Sequence, residues 1–282
     1  IEEIKKMVSE GSANVSRGTI KIDTSEELAN LYQIARRAKD DNNGENAAKY
    51  YDMILIKDPT SWEASFFVVY FKAMECKIAH IQIAAISVSN CIDTVLRLIN
   101  DYVENKEKQS EAVGEVTTRC IILSNLLYNA AKNHYEDIDI SIRQNYTQEM
   151  VNNCFSATNI MYTLGDNIDS IFESIEGLNN FAVLAWKSGI ILHSGIMRYL
   201  TQKDSNKAHI MTYATKIQKY ESTYQLPEID ENTTNGGCYI ATAVYGSYDC
   251  PHVWILRRYR DSVLSKNMVR KNFYKHLLSL KS

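Results

Sequence analysis

The sequence predicts an all-α protein: a short helical hairpin, a bundle of longer helices and a small C-terminal helical module. Three observations carry that prediction. Only three prolines (Pro59, Pro227, Pro251) and eleven glycines interrupt 282 residues, so long stretches run without the residues that end helices. The apolar residues between them recur at i, i+3 and i+4, the spacing of one helix face. A polar stretch holding Pro227 and Gly236-Gly237 then separates the last segment from the rest, as a linker does.

Composition narrows the function classes. A hydrophobic content of 45% over this length is enough to bury a substantial core. The formal charge of −3, from 31 basic and 34 acidic residues along the chain, gives no overall field that gathers a polyanion, so no nucleic-acid partner is expected. The most apolar stretches are cut by Lys, Asn, Ser or His, so no transmembrane segment is expected. Cys76, Cys91, Cys120, Cys154, Cys238 and Cys250 never approach a Cys-x-x-Cys spacing, and the first four fall in helical patterns. They read as core thiols in a reducing cytoplasm. Nothing near Ile1 has the basic start, apolar stretch and cleavage site of a signal peptide, and the native chain is expected to extend beyond Ile1.

Residues 1–23 mix small polar residues and two glycines and read as an N-terminal arm or linker. Thr24 or Ser25 can cap the first helix, with Glu26 and Glu27 favourable at its positive end. Leu28, Leu31, Ile34, Ala35 and Ala38 then share a helical face. A turn follows at residues 40–44. Its acidic run resembles a calcium loop only until Tyr51, which stands where the bidentate Glu belongs if Asp40 is first. The second helix carries Ala47, Tyr51, Ile54 and Leu55 and stops before Pro59, which disfavours helical geometry at Asp58.

Leu31, Ile34, Ala35, Ala38, Ala47, Tyr51, Ile54 and Pro59 follow the order of large, small, small and terminal-proline positions of one repeat family, and this stretch resembles a tetratricopeptide repeat. Ala35 stands where that repeat usually has Gly. Small residues at Ala35, Ala38 and Ala47 let two helices approach while Tyr51 fills the space above them. One repeat cannot bury its own faces, and the 34-residue period is not maintained past Trp62. Longer helices are predicted over residues 62–81, 84–102, 111–133, 143–163, 168–200 and 206–224. Val88, Cys91, Ile92, Val95, Leu96 and Ile99 form one representative face, and Val113, Val116, Cys120, Leu123, Leu127 and Ala130 another. The charged residues 104–110 read as an exposed connection. The helical domain is thus 24–225, with a linker at 226–237.

Residues 238–282 form the last module. Cys-Tyr-Ile-Ala-Thr-Ala begins at Cys238, Tyr-Gly-Ser at Tyr245, and Leu-Arg-Arg-Tyr-Arg-Asp at Leu256. This string strongly resembles the CFI-box C-terminal domain found at the ends of many bacterial proteins, over roughly Cys238 to His276. Physically, Gly236-Gly237 allows a sharp turn, residues 240–245 suit a short helix, and Gly246 can end it. Asp249 can cap a second helix with Pro251 in its first turn.

Cys238 at a helix N-terminus, with His252 and Arg257 on the next helix, is the one constellation that could favour a thiolate, and it is the candidate catalytic set. Packing of Cys238 beneath the module is the simpler reading, because a reactive thiol needs a positioned base. Tyr245, Trp254, Arg257, Arg258, Arg260 and Asp261 are the candidate binding residues. A zinc site on Cys238, Cys250 and His252 lacks a close ligand pair, so no metal is expected. The other histidines, His80, His134, His193, His209 and His276, read as surface or satisfied core positions, and no glycine pattern makes a nucleotide loop, so no cofactor is expected. The tyrosines read as packing residues. The expected function is a bacterial, cytoplasmic, non-enzymatic helical scaffold or adaptor that binds protein partners, with self-association equally open. The alternative is an enzyme or covalent-attachment module dependent on Cys238.

Overall fold

A computed structural model of the chain describes residues 24–226, apart from positions 42, 174 and 176, together with Ile229. Among the described residues there are eight α-helices and no strand. They are α1 (Thr24–Asp40), α2 (Gly44–Lys57), α3 (Trp62–Met74), α4 (Ile81–Tyr102), α5 (Lys106–Asp137), α6 (Thr147–Ile171), α7 (Asn179–Ser194) and α8 (Lys203–Tyr220). Short 3-10 turns at Ile78–His80, Arg143–Tyr146 and Met197–Tyr199 precede α4, α6 and α8. The all-α expectation is met. The arm at 1–23, most of the linker and the module at 238–282 lie outside the described residues.

The first two helices form the expected hairpin. Asn43 caps α2, its side chain accepting from the Asn46 amide, and α2 ends at Lys57 with Asp58 in a non-helical conformation before Pro59. Leu31, Ala35, Ala47, Tyr51 and Ile54 are buried between the helices and their neighbours. Ile34 is not: 43% of it is exposed. At about 100° per residue it falls at the margin of the stripe through Leu31, Ala35 and Ala38, and only that stripe is covered.

Helix α3 is buried almost all round, through Phe66, Phe67, Val68, Tyr70 and Phe71. Successive helices from α1 to α4 pack on one another. Beyond them the helices sort into two layers, with α3, α5 and α7 as neighbours in one and α4 and α6 in the other. Helix α6 also packs on α5 and α7, and α8 packs on α7. One continuous hydrophobic core runs from Leu31 to Ile217.

Several boundaries differ from expectation, among them the end of the helix expected over 168–200, which stops at Ser194 before a 3-10 turn. Helix α3 stops at Met74, and the chain reaches α4 through an extended Lys77 and a 3-10 turn. Residues 106–110 belong to α5, because the Asn105 side chain accepts from the Lys108 amide at 2.7 Å and starts the helix there. The connection is only residues 103–105. The break expected at 164–167 lies instead at 172–178, where Gly177 has φ 89°, a conformation that costs other residues about 1–2 kcal/mol. Gly165 sits inside α6 because the indole of Trp186, at Nε1, occupies the place its Cβ would take.

The segment Ile78–Tyr102 is long and apolar enough to cross a membrane by length and composition alone. Its apolar face, Ile81, Ala85, Val88, Ile92, Val95, Leu96 and Ile99, is buried in the core.

Candidate protein-interaction face

The outer face of α1 is built on a buried charge. Glu63, in the first turn of α3, is almost wholly buried. Arg36 of α1 reaches it through Nε at 3.0 and 3.1 Å and through a terminal nitrogen at 2.6 Å. The Tyr51 hydroxyl of α2 donates to the same carboxylate at 2.7 Å. Burial works against the charge of Glu63, but the hydrogen bonds from Arg36 and Tyr51 and the arginine's charge outweigh it and hold the carboxyl below its ordinary value. Three helices are thereby tied at one point.

The same junction fixes Tyr32. Its hydroxyl donates to Ser61 Oγ at 2.5 Å and faces Asp58 at 3.2 Å, and burial pushes its pKa up to about 12. Ser61 also caps α3, accepting from the Ala64 amide at 3.1 Å. The Arg36 guanidinium lies 5.1 Å from the centre of the Tyr32 ring, within the range of cation–π attraction. At the far end of α1, Lys39 pairs with Glu115 of α5 at 3.6 Å and lies over the Phe67 ring.

Above these anchors the outer face of α1 presents Ala29, Tyr32, Gln33, Arg36, Arg37 and Asp40 as one open surface. The Arg37 side chain is 85% exposed, its nearest acid, Asp41, being 4.0 Å away. A fixed aromatic ring with the Arg36 guanidinium over it, and a second, exposed guanidinium at Arg37 further round the helix, is suited to binding a protein surface, because Tyr and Arg combine large contact area with directed hydrogen bonds. The sequence offers little to find it by: Arg36 and Glu63 stand 27 positions apart, and periodicity does not pair faces.

A second polar cluster joins α6, α7 and α8. His193 is fully buried. The Tyr162 hydroxyl contacts its Nδ1 at 3.2 Å and Asn206 Oδ1 its Nε2 at 2.9 Å. With the Asn206 amide donating to the Gln202 carbonyl, Nε2–H donates to Oδ1 and Nδ1 accepts from Tyr162, so the neutral ring is satisfied on both sides. Burial lowers its pKa to about 4. Asp166 accepts from Trp186 Nε1, the Tyr213 hydroxyl and Lys216, and Tyr213 stacks on Tyr162 with centroids 3.9 Å apart. These groups lock helices together and are committed to one another.

The expected site residues Cys238, Tyr245, His252, Trp254, Arg257, Arg258, Arg260 and Asp261 lie outside the described residues. Of the thiols that are described, Cys120 and Cys154 are buried and Cys76 and Cys91 partly so. Burial raises all four pKa values, to about 12 for Cys91 and Cys154. His193 is a satisfied core position, and His80, His134 and His209 are exposed, as read from the sequence. Among the described residues no group of three or more His, Cys, Asp or Glu side chains is arranged to hold a metal. Compared with protein-family models, with curated proteins and with solved structures, the chain finds no match.

Proposed function

We propose that this chain is a tetratricopeptide-like helical scaffold of a bacterial cytoplasm that docks a protein partner on the outer face of α1, with the C-terminal module as a second docking surface. The observation that carries this reading is the outer face of α1, where Tyr32 and Arg36 are anchored beside exposed Arg37. Tyr32 and Arg36 are held by Asp58, Ser61 and Glu63 before any partner arrives, and side chains that are already ordered lose less entropy on binding. Two-layered helical stacks use such faces to bind peptides or helices.

The test is a photo-crosslinking residue at Gln33 in cells, with the same residue at exposed Asn100 of α4 as the control. A discrete partner, or a second copy of the chain, captured at position 33 and lost when Arg37→Glu is added supports the reading. The same capture pattern at both positions, with a strictly monomeric protein in solution, overturns it.

A further inference from the structure

The corner between α5 and α6 is an ordered loop with an unusual surface. The Asp139 carboxylate accepts from the Ser141 amide at 2.8 Å and the Ser141 hydroxyl at 2.6 Å. Arg143 turns back to donate to the carbonyls of Glu136 and Ile138, at 2.7 and 2.8 Å, and lies over the Tyr135 ring. On this stitched loop Ile140 is 82%, Ile142 47% and Tyr146 40% exposed. These are three of the ten large apolar side chains exposed among the described residues, and they fall within seven positions. Glu136, Asp137, Asp139 and Glu149 flank them at the surface. Arg143, within the loop itself, is directed inward onto backbone.

A patch that is apolar and acidic at once fits a segment that is apolar and basic, and this chain carries one. Residues 253–281 hold eight arginines and lysines against one carboxylate, Asp261, interleaved with Trp254, Leu256, Tyr259 and Phe273. Residues 24–226 hold 25 carboxylates against 19 lysines and arginines. The formal charge of −3 therefore conceals two parts of opposite sign, and such parts attract. The reach is sufficient. Met197–Tyr199, just before α8, meets the corner, since the Tyr199 ring packs edge-on against Tyr135. The 18 residues of α8 carry the chain about 27 Å away. From Ile229 to Val253 there are 23 intervening residues, and a chain of that length spans roughly 25 Å as a random coil and about 75 Å when extended.

We infer that the α5–α6 corner is the docking site for the basic segment 253–281 of the same chain. Ile140, Ile142 and Tyr146 take its apolar side chains, and the surrounding carboxylates take its lysines and arginines. The corner is remote from the α1 face: Lys39 of α1 meets α5 at Glu115, and Asp137, which ends the helix, lies about 33 Å further along it. A failure here leaves the reading of α1 untouched.

Zero-length carboxyl-to-amine crosslinking of the full chain, read by peptide mass spectrometry on a mixture of light and heavy isotope-labelled protein, tests it. The expected products join Glu136, Asp137 or Glu149 to Lys266, Lys271 or Lys275 within one chain. Their yield falls at least about fivefold in Ile140→Ser/Ile142→Ser, in Trp254→Ser and on raising salt to about 0.5 M. The Lys187–Glu221 pair, 2.5 Å apart in the structure, serves as the internal control. Yields unchanged by both sets of substitutions, or products formed only between light and heavy chains, overturn it.

Discussion

Glu63 and His193 are both buried polar groups, and their surroundings treat charge in opposite ways. Glu63 receives Arg36 and Tyr51 and stays ionised. His193 has a neutral donor on one nitrogen and a neutral acceptor on the other, and its pKa falls to about 4. The unfolded imidazole protonates near pH 6.5, so between pH 6.5 and about 4 the unfolded chain binds the proton that the folded ring refuses. His193 thus lowers stability as pH falls through that window, by about 2 kcal/mol at pH 5, and has no effect above it. The carboxyl of Glu63 acts lower, its contribution being present above the ordinary carboxylate pKa and lost as pH falls through its depressed folded value. Denaturant titrations of the full chain should therefore show a slope between pH 6.5 and 4.5 that His193→Gln flattens. An unchanged slope in that variant would mean that the ring is not held neutral.

At the scale of elements, the helix ends carry the corrections. If Asn105 starts α5, Asn105→Ala should destabilise the protein by about 1 kcal/mol, whereas a residue inside an exposed connection would give almost nothing. The two glycines make a sharper contrast. Gly165→Ala gains helix propensity but drives a Cβ into the Trp186 ring, which overpacking should turn into a net loss of about 2 kcal/mol. Gly177→Ala meets no atom within 4 Å and should cost about 1 kcal/mol through its φ of 89° alone. Equilibrium unfolding midpoints of both variants check this. Equal costs, or a stabilising Gly165→Ala, would contradict the packing of α6 against α7.

For the whole molecule, the arrangement in layers matters more than any single pair. Because α3, α5 and α7 are neighbours, and α4 and α6 likewise, each long helix is held by elements before and after it in sequence. The core from Leu31 to Ile217 is one body. The helical domain should unfold in one transition, with far-UV circular dichroism and tryptophan fluorescence giving the same midpoint, the latter read in a Trp254→Phe variant that keeps only Trp62 in α3 and Trp186 in α7. Separate midpoints would divide the stack into independent parts. Charge also belongs to this scale, since a nearly neutral total is compatible with an acidic helical part and a basic tail.

The sequence by itself determined the helical class, the hairpin of α1 and α2, the end of α2 at Pro59 and the buried faces of α4 and α5. Local spacing and backbone geometry decide those, and Val88, Ile92, Val113 and Cys120 are buried as their periodicity requires. Tertiary structure alone decided that Gly165 lies within a helix, because the reason is a tryptophan 21 positions away. It alone joined Arg36 to Glu63, and His193 to Tyr162 and Asn206. A helical period states which residues share a face. Which faces meet depends on how the layers stack, and on that stacking rest both the anchored face of α1 and the apolar, acidic corner after α5.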